Sequence, residues 1–427
     1  MFFSILGVFL MLYALRNFKR SFLLYMLLEI IWYPQAKLFA VNGLPSIPIS
    51  LVMSIFYFVY YIIYKRNKIR NKLRYPLSFP LLLLALSRFA SCFSSLAGFG
   101  DEFSRFVGYS FSSCLEVWLI WNIVNSEKDF DFLLKGLTLV FLFAGAYGIL
   151  VFTTHTNFIF DYKSSLVAKG IDAYYEGDIR GYRLTSIFEH PLGAGMNFAI
   201  FIITILVAKL KFGFREVSSI IIYVTVVLAV ICIFYTKMRA GLFMLIFGIP
   251  AFWKFKGKQF ISLFVGCVVL LFIVFPLISD QIDVFQSLFN KKAQEDVGGS
   301  NLEMRLEQLG ACVFFLQQSP ITGFGEQCLL YLNGIEAYQL RALESVVFEE
   351  MVRHGILGLL ATFVLMFFTT IHLPLKYHSK ELFFVSLSFW VTYILTSIPF
   401  FRMHLFYIAY FYIIFQINKR KNIKRNK

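Results

Sequence analysis

Long apolar runs recur from one end of this chain to the other, and short basic segments divide them. Such a run fits a hydrocarbon core about 30 Å thick, where each backbone N–H and C=O must find its partner within the protein. A helix achieves that within a single segment, so the pattern predicts an all-α polytopic membrane protein. Spans are expected near 2–15, 21–38, 47–64, 75–93, 106–125, 132–153, 192–208, 217–235, 240–253, 259–278, 350–372, 382–398 and 402–417. The first and ninth are short, so the expectation is about 12–13 transmembrane helices. A mean hydropathy of +0.71 with 59% hydrophobic residues excludes a soluble globule. Met1–Leu15 has neither a basic leader nor a small-residue cleavage site, and it is expected to be a span, not a cleaved signal.

Charge orients the spans. Lys and Arg cluster at 16–20, 65–74, 209–215, 254–258 and 419–427, with smaller groups at 128–135 and 376–380, all on one predicted face. Only Glu127, Asp129, Asp131, Glu216 and Glu381 among the acids share it. The positive-inside rule makes that face cytoplasmic, C-terminus included. The net charge of +15 is therefore a topology signal and not a nucleic-acid footprint. Two large loops, 154–191 and 279–347, fall on the opposite side. The chain reads as one integral membrane domain, 1–427, without linker or repeat.

The second loop carries the polar chemistry. Ser300-Asn-Leu-Glu303 has the form of a capping box, opening a helix with Leu302, Leu306, Leu309, Val313 and Leu316 on one stripe, suited to the membrane surface. Gln317-Gln-Ser-Pro320 ends that helix, and Gly323-Phe-Gly325 makes a turn that needs a flexible backbone. Cys312 and Cys328 share the loop, but spacing alone does not pair them. The first loop ends in Gly181-Tyr-Arg-Leu-Thr-Ser-Ile-Phe-Glu-His-Pro-Leu-Gly-Ala-Gly195, which runs straight into a span. Thr236-Lys-Met-Arg-Ala-Gly241 is a tight hairpin between two spans.

Arg183, Arg239 and Arg305 thus lie on one face of the membrane. Guanidinium forks hold phosphate oxygens in pairs and keep their charge when desolvated, so together they suit an anionic head group. Single arginines in such places also snorkel or pair with nearby acids. Glu344 stands just outside a span, where a carboxylate facing a polar cavity serves as a general base. Glu349 or Glu350 is expected to pair with Arg353 along the helix. Glu29, Arg88 and Glu116 lie within spans, and the depths of Arg88 and Glu116 predict a structural pair. No P-loop, dinucleotide fingerprint, HExxH or Ser-His-Asp pattern occurs, so neither cofactor nor metal is expected.

Four segments, in order, make the chain resemble the family of O-antigen ligases and Wzy-type polysaccharide polymerases. They are Arg183-Leu-Thr-Ser-Ile-Phe-Glu-His-Pro191, Met238-Arg-Ala-Gly241, Arg305 followed by a helix and Pro320-Ile-Thr-Gly-Phe-Gly325, and Glu344-Ser345 ahead of Gly355-Ile-Leu-Gly358. The resemblance implies a GT-C-like architecture in the bacterial cytoplasmic membrane, with the active loops outside. It also implies glycosyl transfer between undecaprenyl-diphosphate-linked oligosaccharides, alongside a flippase and a chain-length regulator. On that footing Arg183, Arg239 and Arg305 would hold the diphosphate, and Glu344 with Arg305 would be catalytic. Ligases of the family carry His-Asn where this chain has Glu344-Ser345, which favours a polymerase over a ligase acting on lipid A core. A flippase for the same lipid-linked glycan is the reading of another class; the absence of internal repeats and half-broken helices speaks against it.

Overall fold

The computed structural model describes residues 2–32, 48–65, 73–166, 182–253, 302–340, 343–396 and 402–425. The predicted span 259–278, the Ser300 cap and the start of the second loop lie outside the described residues.

The described residues are mostly helical, with no strand among them, and every other predicted span coincides with a helix. α1 (Phe2–Arg16), α2 (Phe18–Ile31), α3 (Ile49–Tyr60) and α4 (Ser78–Ser91) come first. α5 (Phe99–Tyr109) runs through a π-helical stretch, Ser110–Leu115, into α6 (Glu116–Ile123). Then follow α7 (Glu127–Thr154), α8 (Phe158–Ser165), α9 (Pro191–Val207), α10 (Ser219–Tyr235), α11 (Arg239–Phe252), α12 (Leu302–Gln318) and α13 (Ile335–Gln339). α14 (Val346–Phe367) continues through Phe368–His372 into α15 (Leu373–Tyr377), and α16 (Lys380–Leu395) and α17 (Met403–Arg425) complete the fold. Among the described residues, three helical stretches are long and apolar enough to cross a membrane alone: Glu127–Thr154, Pro191–Phe212 and Val346–Tyr377.

α9 is the hub. Its apolar window is 94% buried, against 33% for Val346–Tyr377, so α9 is enclosed by protein while the latter turns apolar surface outward. Pro191 at its first turn has a preset φ and no N–H to strand, and the His190 side chain accepts the Leu192 N–H as the cap. α11 crosses α9 where two glycines meet: a Cβ on Gly241 would come within 2.8 Å of the Gly195 carbonyl oxygen. Only small residues permit that approach, and it presses the α10–α11 hairpin onto the start of α9.

Described basic residues of several predicted clusters are tied to neighbouring helix ends. Lys19 pairs with Asp129 at 2.9 Å, Lys419 with Glu127 at 2.5 Å, and Lys211 donates to the Trp253 carbonyl at 3.0 Å. The first large loop is pinned by buried charge. Glu189, fully buried, accepts from Lys163 Nζ at 2.7 Å and from Arg402 Nη2 at 3.0 Å on each oxygen. Arg402 also donates to the Trp32 carbonyl at 2.7 Å, so α2, α8, the approach to α9 and the start of α17 are tied at one point. Burial, only partly offset by Glu189, lowers the Lys163 amine to about 8.

Candidate active site

The Arg183 segment is held as a rigid non-helical strap. Leu184 N–H donates to the Tyr235 carbonyl at 3.0 Å, and Asn157 Nδ2 donates to Thr185 Oγ1 and to the Ser186 carbonyl at 3.0 and 2.8 Å. The strap therefore lies on the α10–α11 hairpin, with Arg183 Nη1 3.6 Å from Met238 Sδ. Arg239, the next residue, opens α11. The two arginines thus share a corner, as their common face predicts. His190 closes the strap; burial, and secondly the Arg183 charge, lower its imidazole to about 4, so it caps α9 in its neutral form.

Arg305 and Glu344, 39 residues apart, form an ion pair at 2.9 Å, with side chains 20% and 30% exposed. Arg305 projects from the first turn of α12, and Glu344 precedes Ser345, whose hydroxyl accepts the Val347 N–H and caps α14. α12 packs on α14 through Ala311, Cys312 and Phe315, beside the buried Cys328. Leu306, Leu309 and Val313 of the predicted stripe stay exposed, as a face laid on a bilayer would. Cys312 and Cys328 are free thiols, and burial pushes both up to about 12.

The turn after α12 does more than end a helix. Gly355 breaks α14 with φ 61° and ψ −154°, and the Pro320–Gly325 turn is inserted into the break. Ile356 and Leu357 donate to the Pro320 and Ile321 carbonyls at 2.8 and 3.1 Å, and Phe324 and Gly325 donate to the Val352 and Arg353 carbonyls at 3.0 and 2.9 Å. The backbone groups orphaned by the break are thereby satisfied. A Cβ on Gly323 would sit 2.5 Å from the Arg353 carbonyl carbon, and φ there is +67°, so glycine is required on both counts.

This insertion delivers Glu326 into a charged cluster. Glu326 pairs with Arg353 at 2.6 Å, with His354 at 3.3 Å and with Arg88 of α4 at 3.9 Å. Burial alone would raise its carboxyl, but the hydrogen bond from His354 and the charges of Arg353, His354 and Arg88 hold it well below the usual range. Arg88 also pairs with Glu350 at 2.9 Å, contacts His354 Nε2 and lies over the Tyr109 ring. Glu349 reaches Arg353 at 3.5 Å, one of the pairs expected along the helix. The expected Arg88–Glu116 pair is not formed: Arg88 is taken by α14, while Glu116 faces Glu29 and His404, with His404 Nδ1 3.9 Å from Glu116 Oε1 and 3.7 Å from Glu29 Oε2. Matched depth fixes only height along the membrane normal; which way each helix face turns decided the partners.

Both clusters open on one cavity of about 1150 Å³, walled by α2–α6, α14, α16 and α17. Arg183, Arg239, Arg305 and Glu344 are not among its described lining residues; the wall begins at Val346, beside the Arg305–Glu344 pair. Sequence reasoning missed the cavity and the roles of Glu326, His354, Arg402 and His404 around it. The signal was there, because ionisable groups within apolar segments are costly and mark functional or paired sites.

Residues 224–363 match the family model described as O-antigen ligase. The resemblance noted from the motifs is thus borne out over this segment. It includes Arg239, Arg305, Glu344, the Pro320–Gly325 turn and the Gly355 break. No curated protein matches the chain. The O-antigen ligase match supports ligase- or polymerase-type glycan processing by a membrane protein, and holds the two activities together at the level of the family. Arg183 and the α4 side of the cavity lie N-terminal to the matched segment.

Proposed function

We propose that the protein is a polymerase that joins polyprenyl-diphosphate-linked oligosaccharide units into a surface polysaccharide at the outer face of the cytoplasmic membrane. The observation that carries this reading is the 2.9 Å Arg305–Glu344 pair inside the matched segment, partly open to solvent at the mouth of α14. In this scheme the donor diphosphate binds Arg305, with Arg183 and Arg239 as further cationic contacts. A phosphate oxygen replaces the Glu344 carboxylate on the Arg305 guanidinium, so donor binding frees the base. Glu344 then takes the proton of the acceptor hydroxyl as its oxygen attacks the anomeric carbon. The bond from that carbon to the diphosphate oxygen breaks, and polyprenyl diphosphate leaves with the electron pair, its charge already met by preorganised guanidinium groups. The arginines carry this charge without a metal at the reacting atoms.

The second reading is a ligase that transfers the glycan to a lipid A core, which the description of the matching family favours. Glu344-Ser345 in place of His-Asn weighs against it. The deciding experiment is the surface glycan ladder of a deletion strain complemented with wild type, Arg305→Ala or Glu344→Gln. Collapse to one repeat unit, rescued by wild type alone, is the expected result. Full-length polymer left unattached to its anchor makes the protein a ligase, and unjoined units trapped on the cytoplasmic side make it a flippase.

A further inference from the structure

Glu29, Glu116 and His404 come from α2, α6 and α17, and their ligand atoms all lie within 4.8 Å of one another. All three line the cavity. Glu116 is 4% exposed and His404 5% exposed. Two carboxylates brought this close in a dry setting are costly unless something neutralises them. Among the described residues no Lys or Arg pairs with either acid. Arg402, two residues from His404, is spent on both oxygens of Glu189 and on the Trp32 carbonyl. A proton shared between the acids would relieve the charge but leaves one buried atom facing the imidazole, Glu29 Oε2, without a hydrogen-bond partner. The imidazole faces both carboxylates at 3.7 and 3.9 Å, too far to hydrogen-bond either.

That spacing suits a shared cation. Ligand atoms about 2.1 Å from a tetrahedral centre stand about 3.4 Å apart, so the imidazole closes on either acid by a few tenths of an ångström, and the two acids, within 4.8 Å, by at most about 1.4 Å. One imidazole nitrogen and two carboxylate oxygens make a borderline-to-hard donor set, the class that takes Zn²⁺ or Mn²⁺. The fold, not the acids, fixes two of the three ligands: Arg402 binds the end of α2 through Trp32 and Ile30 and starts α17 in the same stroke. We propose that Glu29, Glu116 and His404 bind one divalent cation of the Zn²⁺/Mn²⁺ class on the cavity wall, with its remaining coordination positions open to the cavity. Three protein ligands with an open position are the arrangement that leaves room for water or a phosphate oxygen. The site is independent of the transfer scheme above, whose diphosphate contacts are arginines. No sequence motif announces it, because its ligands lie far apart in the chain.

The test uses full-length protein, purified in detergent, stripped with chelator and titrated with Mn²⁺ alone while free Mn²⁺ is followed by EPR. About one equivalent is expected to bind, to be displaced by Zn²⁺, and to show nitrogen coupling in the pulsed spectrum. Glu29→Gln and Glu116→Gln are expected to weaken binding at least about tenfold, and His404→Gln to abolish the nitrogen coupling. Glu102→Gln, another acid on the cavity wall, is expected to bind as wild type. A Mn²⁺-dependent rise in the melting temperature of wild type, lost in the three variants, separates lost binding from lost folding. Uptake below a tenth of an equivalent overturns the proposal in favour of a proton-sharing acid pair. So does equal binding by wild type and the three variants, or equal loss in Glu102→Gln.

Discussion

Two ionic groups in this molecule are built to opposite specifications. Lys163, Glu189 and Arg402 are at most 3% exposed, and each oxygen of Glu189 has a cationic donor. Arg305 and Glu344 pair at 2.9 Å and remain 20% and 30% exposed. The first group cannot exchange a partner without exposing a buried charge. The second can trade one anion for another at little cost. The difference teaches where to look for chemistry in a chain full of arginines: a buried anchor is closed to solvent, and a part-exposed pair stays within reach of a second anion.

Glu189→Ala breaks the closed group and leaves two buried cations uncompensated, with an expected loss of about 3–5 kcal/mol. Its check is thermal unfolding and the yield of folded protein in the membrane. Gly323→Ala strains the turn in the α14 break, at φ +67° and against the Arg353 backbone, with an expected cost of about 1–3 kcal/mol. Faster proteolysis after residue 318, with the hub helices still protected, would locate that loss. A smaller effect is expected from pH. His190 has its imidazole lowered to about 4, so an unfolded chain binds its proton first and stability falls as pH drops from about 6.5 towards 4. His190→Asn keeps a cap and should flatten that slope; an unchanged slope assigns it to other groups. The least stability change is expected for Arg305→Ala or Glu344→Gln, about 1 kcal/mol or less for a part-exposed pair. Glycan polymerisation should nevertheless collapse in both. A large loss of stability in either would make the pair a second anchor and remove the contrast.

The helices were legible because period and length are local properties of the sequence, and apolar runs bounded by lysine and arginine need no tertiary information. The Gly323–Gly325 turn was legible for the same reason. Its socket at Gly355 was not, since the hydrogen bonds it answers are created by another segment. Arg305 and Glu344 could each be singled out, one as a phosphate binder and one as a base, but nothing in their spacing says that they touch. Glu189 stands in the segment that runs into a span, and its role as an anchor depends on Lys163 and Arg402, which reach it from remote segments. The cavity was illegible because its walls come from eight helices, and the ionisable groups within them do not say which helix faces turn toward one another.

The break at Gly355 divides α14 into two stretches of different character. Glu349, Glu350, Arg353 and His354 all precede it, whereas 355–377 carries only Lys376 and His372 near its far end. At about 1.5 Å per residue that second stretch is some 34 Å long, enough by itself to cross a bilayer. During synthesis, then, the insertion machinery meets a clean apolar segment and need not admit the charged turn before it. The charged turn can join the helix afterwards, once the Pro320–Gly325 segment, already made, has filled the gap. One residue thus separates an apolar stretch long enough to stand alone from a charged turn that the Pro320–Gly325 segment joins to it.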